Sequence, residues 1–139
     1  MCRPSSAIVT LRRFEELRGG AEQPLGEHLA ACLEAHDWLT STDDAELLET
    51  RLATSPDVTE ERYHRPGEPD PQMVLLRQGG GFGRAVRADT ALAGFVGACD
   101  GDLPAGLLIA AVAGLLDLPV ADVTAALLPT VRAWSRTAC

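Results

Sequence analysis

Apolar residues recur at helical spacing along parts of this chain and alternate at strand spacing along others, and the boundaries between the two patterns are well marked. Ser6 to Arg12 is rich in β-branched residues and predicts a short strand. An isolated strand is unstable, so this one is expected to pair with a later segment or to belong to a longer chain. Phe14 to Gln23 is a polar connection containing Gly19-Gly20. Pro24 opens a predicted helix running to Leu39, with Leu25, Leu29, Leu33 and Trp38/Leu39 near one stripe. Thr40-Ser41-Thr42 is placed to cap a second helix over Asp43 to Ala53, with Asp43 and Asp44 in its first turn and Leu47, Leu48 and Leu52 as its apolar face. Within Pro56 to Arg65, the run Val58 to Tyr63 predicts an exposed strand.

Pro66 to Pro71 holds three prolines and breaks the pattern. Beyond it, Met73 to Arg77 and Arg84 to Ala88 predict a β-hairpin joined by Gly79-Gly80-Gly81-Phe82-Gly83. Asp89-Thr90 caps a helix to about Cys99 that buries Leu92, Phe95 and Val96. Asp100-Gly101-Asp102 predicts a turn, Leu103-Pro104 opens an apolar helix to Leu116, and Asp117-Leu118-Pro119 a second turn. The last helix runs from Val120 to about Arg136, and Pro129 is expected to kink it. The class is α+β: a small antiparallel sheet with a winged-helix-like three-helix unit at the C-terminal end. Three segments are expected: an orphan strand at 1–13, a helical hairpin plus exposed strand at 14–66, and the winged-helix-like unit at 67–139.

The glycine run invites a nucleotide reading and fails it. A phosphate loop needs a second glycine followed by a lysine and a hydroxyl residue; counted from Gly79, the second glycine and the lysine fall where Arg84 and Ala85 stand, and the chain has no lysine. A dinucleotide fingerprint starting at Gly79 or Gly81 ends on Arg84 or Val86 instead of glycine. Both motifs also require a helix next, and Arg84-Ala85-Val86-Arg87 alternates like a strand. Arg77 and Arg84 flank the turn and remain candidates for contact with an anion.

Hydrophobic residues make up 46% of the 139, enough for a core and too many for a disordered chain. Apolar runs fall short of the ~18 residues of a membrane span, and the N-terminus lacks the apolar stretch of a signal peptide, so a cytoplasmic location is expected. All 12 basic residues are arginine and asparagine is absent, the bias of a GC-rich coding genome. The net charge of −8 is lopsided: residues 1–72 carry 7 Arg against 15 acids, residues 73–139 carry 5 Arg against 5 Asp. Neither half has the basic footprint that nucleic acid requires. The middle helix of the three, Gly106 to Gly114, has no polar side chain to read bases, and the last offers Arg132 and Arg136 alone. A docking module is the better expectation than a DNA-binding regulator.

Cys2, Cys32, Cys99 and Cys139 are scattered and predict thiols instead of a disulfide framework. His28, Cys32 and His36 share one slowly drifting helix face, a weak metal candidate without a second ligand pair on another element. No nucleophile motif is present. Asp43, Asp44, Asp100 and Asp102 are explained as caps of helix starts.

Several runs resemble one family. Ala7-Ile8-Val9-Thr10-Leu11-Arg12-Arg13 resembles the final sheet strand of actinobacterial class I methyltransferases related to the protein-glutamine methyltransferases. Pro56-Asp57-Val58, then Val74 to Gly81 with Arg84, Arg87 and Asp89-Thr90, then Phe95 to Leu103, are similar to that family's C-terminal region. The resemblance spans about Ala7 to Leu118. The family's glycine-rich cofactor turn and its Asn-Pro-Pro-Tyr motif have no counterpart in this sequence. The resemblance therefore implies no catalytic residue and no cofactor for this chain, with S-adenosylmethionine belonging to a full-length parent. It implies a non-catalytic C-terminal region whose partner is a methyltransferase catalytic domain. The alternative is an independent winged-helix-like module that self-associates through its apolar helices.

Overall fold

The computed structural model describes residues 25–135. The strand expected at Ser6 to Arg12 and the connection that follows it lie outside the described residues. The chain is α+β, with two small antiparallel sheets among its helices. In chain order the elements are α1 (Leu25–Ser41), α2 (Asp44–Glu49), β1 (Arg51–Ala53), β2 (Val58–Tyr63), β3 (Met73–Gln78), β4 (Ala85–Ala88), α3 (Thr90–Ala98), β5 (Asp100–Pro104), α4 (Ala105–Leu115) and α5 (Val120–Ser135).

The predicted hairpin is β3 with β4, and the predicted exposed strand is its third partner, in the order β2-β3-β4. Strand β2, expected as part of the middle segment, pairs with β3 along its whole length, from Val58 opposite Gln78 to Tyr63 opposite Met73. Alternation along β3 places Leu76 and Gln78 in the interior, with Leu75 and Arg77 on the other face.

Two expectations are corrected by one interaction. The second helix does not reach Ala53; it ends at Glu49, and residues 51–53 form β1. Asp100 to Pro104 is not a turn and helix start but β5, paired antiparallel with β1, Arg51 opposite Pro104 and Ala53 opposite Asp100. Each segment is too short and too mixed in composition to announce a strand, and only the long-range pairing defines them. The same ladder closes helix ends. The Ala105 amide at the start of α4 donates to the Thr50 carbonyl at 2.8 Å, where Pro104 supplies no side-chain cap. Thr54 donates its amide to Cys99 O and its hydroxyl to Val96 O, satisfying carbonyls at the end of α3.

Caps follow the sequence in part. Asp43 is the N-cap of α2, in a capping box with Glu46, one position later than the Thr-Ser-Thr run suggested, and Asp89 caps α3. Asp100 and Asp102 cap no helix: the Asp100 carboxylate accepts from the Asp102 amide within β5. Helix α4 ends in a Schellman arrangement, with the Leu118 amide on Ala113 O at 3.0 Å. Its left-handed residue is Asp117, φ 54°, where glycine is usual. Helix α5 runs through Pro129, which leaves the Ala125 carbonyl without its usual helical donor.

The core is built around α4. Ala105, Leu108, Ile109, Val112 and Ala113 are buried against Leu92 and Phe95 of α3, Val123, Leu127 and Val131 of α5, and Leu76 and Ala88 of the sheet. Gly106 lets α2 approach: a Cβ there would lie 3.2 Å from Leu48 O. Burial pushes the Cys99 thiol up to about 11, with Asp100 adding to the shift, so this cysteine is a protonated packing residue.

Helix α1 reverses its predicted orientation. Leu29 and Leu33 point outward, 45% and 53% exposed, and Leu39 is buried. The inward face is His28, Cys32, Ala35 and His36, the same helical spacing rotated by one position. What holds α1 is Arg132 of α5. Its guanidinium donates to Leu39 O at 3.1 Å and Thr42 O at 2.9 Å and pairs with Asp44 at 2.7 Å. A cation thus meets the open carbonyls at the C-terminal end of α1. Replacing Arg132 with Met is expected to lower unfolding stability by about 2 kcal/mol, because the buried Leu39 and half-buried Thr42 lose the charged donor to their carbonyls, the exposed Asp44 adding little. Arg132→Lys should recover less than half of that, since an ammonium cannot span the fork. Urea unfolding of the two variants measures both, and amide exchange should show α1 opening first.

Candidate functional site

The glycine loop, the feature with most apparent chemistry, meets α1 and the β1–β2 connection. Gln78 and Arg84 close it through an amide-to-carbonyl bond of 2.8 Å, and Gly83 N bonds Gly80 O within it. Gly81 and Gly83 adopt φ of +58°, the role expected of glycines in a tight connection. Gly79 and Gly80 serve a different purpose. Their amides face Asp57: Gly79 N donates to Asp57 O at 2.8 Å and Gly80 N to Asp57 Oδ2 at 2.9 Å. The second of these donors is one that an external anion would use, and the protein's own carboxylate holds it.

Asp57 also accepts from the Ser55 hydroxyl. The Ser55 bond does most to hold its carboxyl below the usual value, the Gly80 amide and the charge of His28 assisting against partial burial. His28 lies directly over Gly81: a Cβ added there would fall 2.4 Å from three atoms of the imidazole. Phe82 meets the same ring edge-on, centroids 5.2 Å apart, and Arg84 lies 5.2 Å over the far partner, Phe82. Absence of a side chain at Gly81 is therefore what lets α1 dock.

The two candidate anion contacts go separate ways. Arg77 pairs across the strands with Glu61 at 2.6 Å, which raises the arginine and lowers the carboxylate. Glu61 also accepts from the Tyr63 hydroxyl, 2.7 Å, and so lifts the phenol's pKa. Arg84 is turned to Phe82. Of the metal candidates, His28 Nε2 and Cys32 Sγ are 3.7 Å apart. His36 is two turns from His28, and both its ring nitrogens are buried without a hydrogen-bond partner among the described residues. Among the described residues no three His, Cys, Asp or Glu side chains are grouped to hold a metal ion. His28 and Cys32 instead form part of the face by which α1 packs.

An open cleft of about 550 Å³ lies where β3 begins and α3 starts, lined by Asp70, Gln72, Met73, Arg87, Asp89 and Thr90 among others. The Leu92 amide in that helix start is already bound by Asp89 at 2.8 Å. The cleft mixes two acids with one arginine and presents no convergent set of donors.

What remains open is apolar. Leu29 and Leu33 on α1, Leu103 and Leu107 at the entry to α4, and Leu115, Leu118 and Val120 at its exit are all 45% exposed or more. The sequence reading missed Asp57 and Glu61 as the residues that occupy the glycine loop and Arg77. A signal existed for each: Ser55-Pro56-Asp57 is a turn whose carboxylate can bind backbone, and Glu61 falls opposite Leu75, diagonal to Arg77, once β2 is aligned with β3. No family model matches this chain, and no curated protein or solved structure shows significant similarity to it. No helix among the described residues is long and apolar enough to cross a membrane.

Two outcomes follow from the loop. Gly81→Ala should destabilise by about 1–3 kcal/mol, through left-handed strain and displacement of the imidazole. In the double variant with His28→Ala the penalties should fall short of their sum, since the clash is gone; a denaturation cycle reads the coupling. The lowered Asp57 carboxyl contributes stability that is complete above its unfolded value of 3.8 and lost as pH falls below it. Asp57→Asn should flatten that acid limb in urea midpoints taken from about pH 5 to about pH 2.

Proposed function

We propose that this chain is a non-catalytic accessory region of a methyltransferase-like protein, which packs on a catalytic domain and shapes access to it. The observation that carries the proposal is the orientation of α1. It spans 17 residues, is fastened by Arg132 at its C-terminal end, and turns Leu29 and Leu33 outward while a histidine and a cysteine face the protein. Large apolar side chains in solvent on a helix fixed to a complete core suit a surface that another domain covers. The resemblance of the glycine hairpin and the Phe95 to Leu103 run to the C-terminal region of class I methyltransferases supplies the kind of domain. On this reading S-adenosylmethionine belongs to the partner, and the internal use of the loop amides by Asp57 supports that assignment. The buried thiol of Cys99 suits the reducing cytoplasm.

Electrostatics disfavours the DNA-binding alternative. Arg62 and Arg77 pair with Glu60 and Glu61, and Arg132 is spent on carbonyls and Asp44. An independent, winged-helix-like interaction module remains the second reading, favoured by α4, which bears no charged side chain at all.

Calorimetric titration of the chain into a class I methyltransferase catalytic domain from the same genome tests the first reading. The expected result is a 1:1 complex with Kd on the order of 1–10 µM, weakened at least about 10-fold by Leu29→Glu with Leu33→Glu. S-adenosylmethionine titrated into the chain alone should give no heat. Failure to form the complex, or cofactor binding by the chain itself, overturns the proposal.

A further inference from the structure

We infer that the elbow between α1 and α2 is a binding site for a guanidinium group, the side chain of an arginine presented by another polypeptide. A second open cleft lies in this elbow, about 530 Å³ in volume and lined by Trp38, Ser41, Thr42, Glu46, Glu49 and Thr50. Its side chains accept hydrogen bonds and scarcely donate them. The hydroxyls of Ser41 and Thr42 both donate to Trp38 O at 2.8 Å, and the Thr50 hydroxyl donates to Glu46 O at the same distance. A hydroxyl whose proton is so placed has lone pairs left to offer and nothing else. One carboxylate oxygen of Glu46 accepts from the Asp43 amide in the capping box, which leaves the other. The Glu49 carboxylate is exposed and has no side-chain partner among the described residues. Against these acceptors the lining has one side-chain donor, the indole of the 37% exposed Trp38.

No basic residue lines the cleft. Arg51, two positions beyond Glu49, lies outside the lining with its backbone fixed opposite Pro104, and Arg132 is held by Leu39 O, Thr42 O and Asp44. Helix α1 has no basic residue in its last turn, so the negative end of its dipole adds to the two glutamates. Acceptors beside an aromatic residue call for a cation that both donates and stacks. A metal ion fits poorly, since no three His, Cys, Asp or Glu side chains are grouped for one among the described residues. A quaternary ammonium has no proton to give the hydroxyl and carboxylate oxygens. A lysine ammonium has donors and no flat face. A guanidinium carries five N–H donors in one plane, and that plane stacks on an indole. The elbow already shows its affinity for this group, because the guanidinium of Arg132 is bound by the same turn of chain through two carbonyls and a carboxylate. An open cleft leaves a way out for the backbone that bears the arginine, where a free small molecule would be better served by an enclosed one.

This site goes beyond the accessory reading and rests on none of its observations. The probes are three capped tripeptides, acetyl-Ala-X-Ala-amide with X arginine, lysine or citrulline, titrated into the full chain and followed by amide and indole chemical shifts. Citrulline keeps the shape of arginine and replaces the guanidinium with a neutral urea. The arginine peptide should move the Trp38 indole and the amides of residues 38–50 with Kd on the order of 1 mM. The lysine peptide should bind at least about 3-fold and the citrulline peptide at least about 10-fold more weakly. Methylguanidinium, the free form of the same group, should bind more weakly than the arginine peptide. Glu49→Gln should weaken the arginine peptide at least about 5-fold with the remaining amide shifts unchanged, since this exposed carboxylate caps nothing. Trp38→Leu should weaken it by a similar factor, through loss of the ring. Equal binding of the citrulline or lysine peptide, tighter binding of methylguanidinium, shifts confined to residues outside 38–50, or indifference to Glu49→Gln would each overturn the site. Its failure leaves the accessory reading standing, and failure of the methyltransferase complex leaves this site standing.

Discussion

Helix α4 has no polar side chain, and the rest of the described structure is arranged around its inner face. Helix α3, helix α5, the sheet and α2 each contribute a side of its enclosure. Even its first amide is satisfied by backbone, from Thr50, instead of by a polar cap. Burial of this kind is the dominant favourable term in folding, and here it also settles topology. The β1–β5 ladder exists where it does because α2 must lie against Gly106 at one end while β5 leads directly into α4. Removing the ladder would take the Thr50 acceptor from the first amide of α4 and the Thr54 donors from Cys99 O and Val96 O.

The second constraint is economy of charge. The described arginines are largely turned to internal purposes: Arg132 fastens α1, Arg77 and Arg62 neutralise acids on β2, and Arg84 lies over an aromatic ring. The glycine loop shows the same habit, its Gly80 amide binding Asp57. Features that look like a ligand site in one dimension are, in three, the fastenings between a hairpin, a connection and a helix. Such fastenings link local chemistry to packing: without a bare Gly81 there is no room for His28, and without His28 the loop end of α1 loses its seat.

Periodicity carried the sequence reading far for elements longer than about two turns or paired locally. The hairpin, α3, α4 and α5 were legible, and so were the carboxylates of Asp43 and Asp89 at helix starts. Strands β1 and β5 were not, since three or five residues of mixed character acquire their conformation only from each other, across about fifty positions of sequence. The face of α1 was misread for an informative reason. Hydrophobicity alone points Leu25, Leu29 and Leu33 inward, but Gly81 accepts an imidazole and Phe82 an edge-on ring, so His28 and Cys32 face the protein. Tertiary complementarity outweighed the leucine stripe. For the candidate site, the sequence offered the cations Arg77 and Arg84 and could not place the anion beside either glycine or arginine.

Helices α1 and α4 both leave apolar surface open, for different reasons. On α1 the leucines face outward because His28 and Cys32 fill the seat against the glycine loop, and on α4 the outer half stays open because the core elements meet its inner half. Stability is marginal in any domain of this size, so exposed apolar surface kept at two separate places is a standing liability to aggregation. Charge offsets that liability over the whole surface, since a net charge of −8 sets copies of the chain against one another.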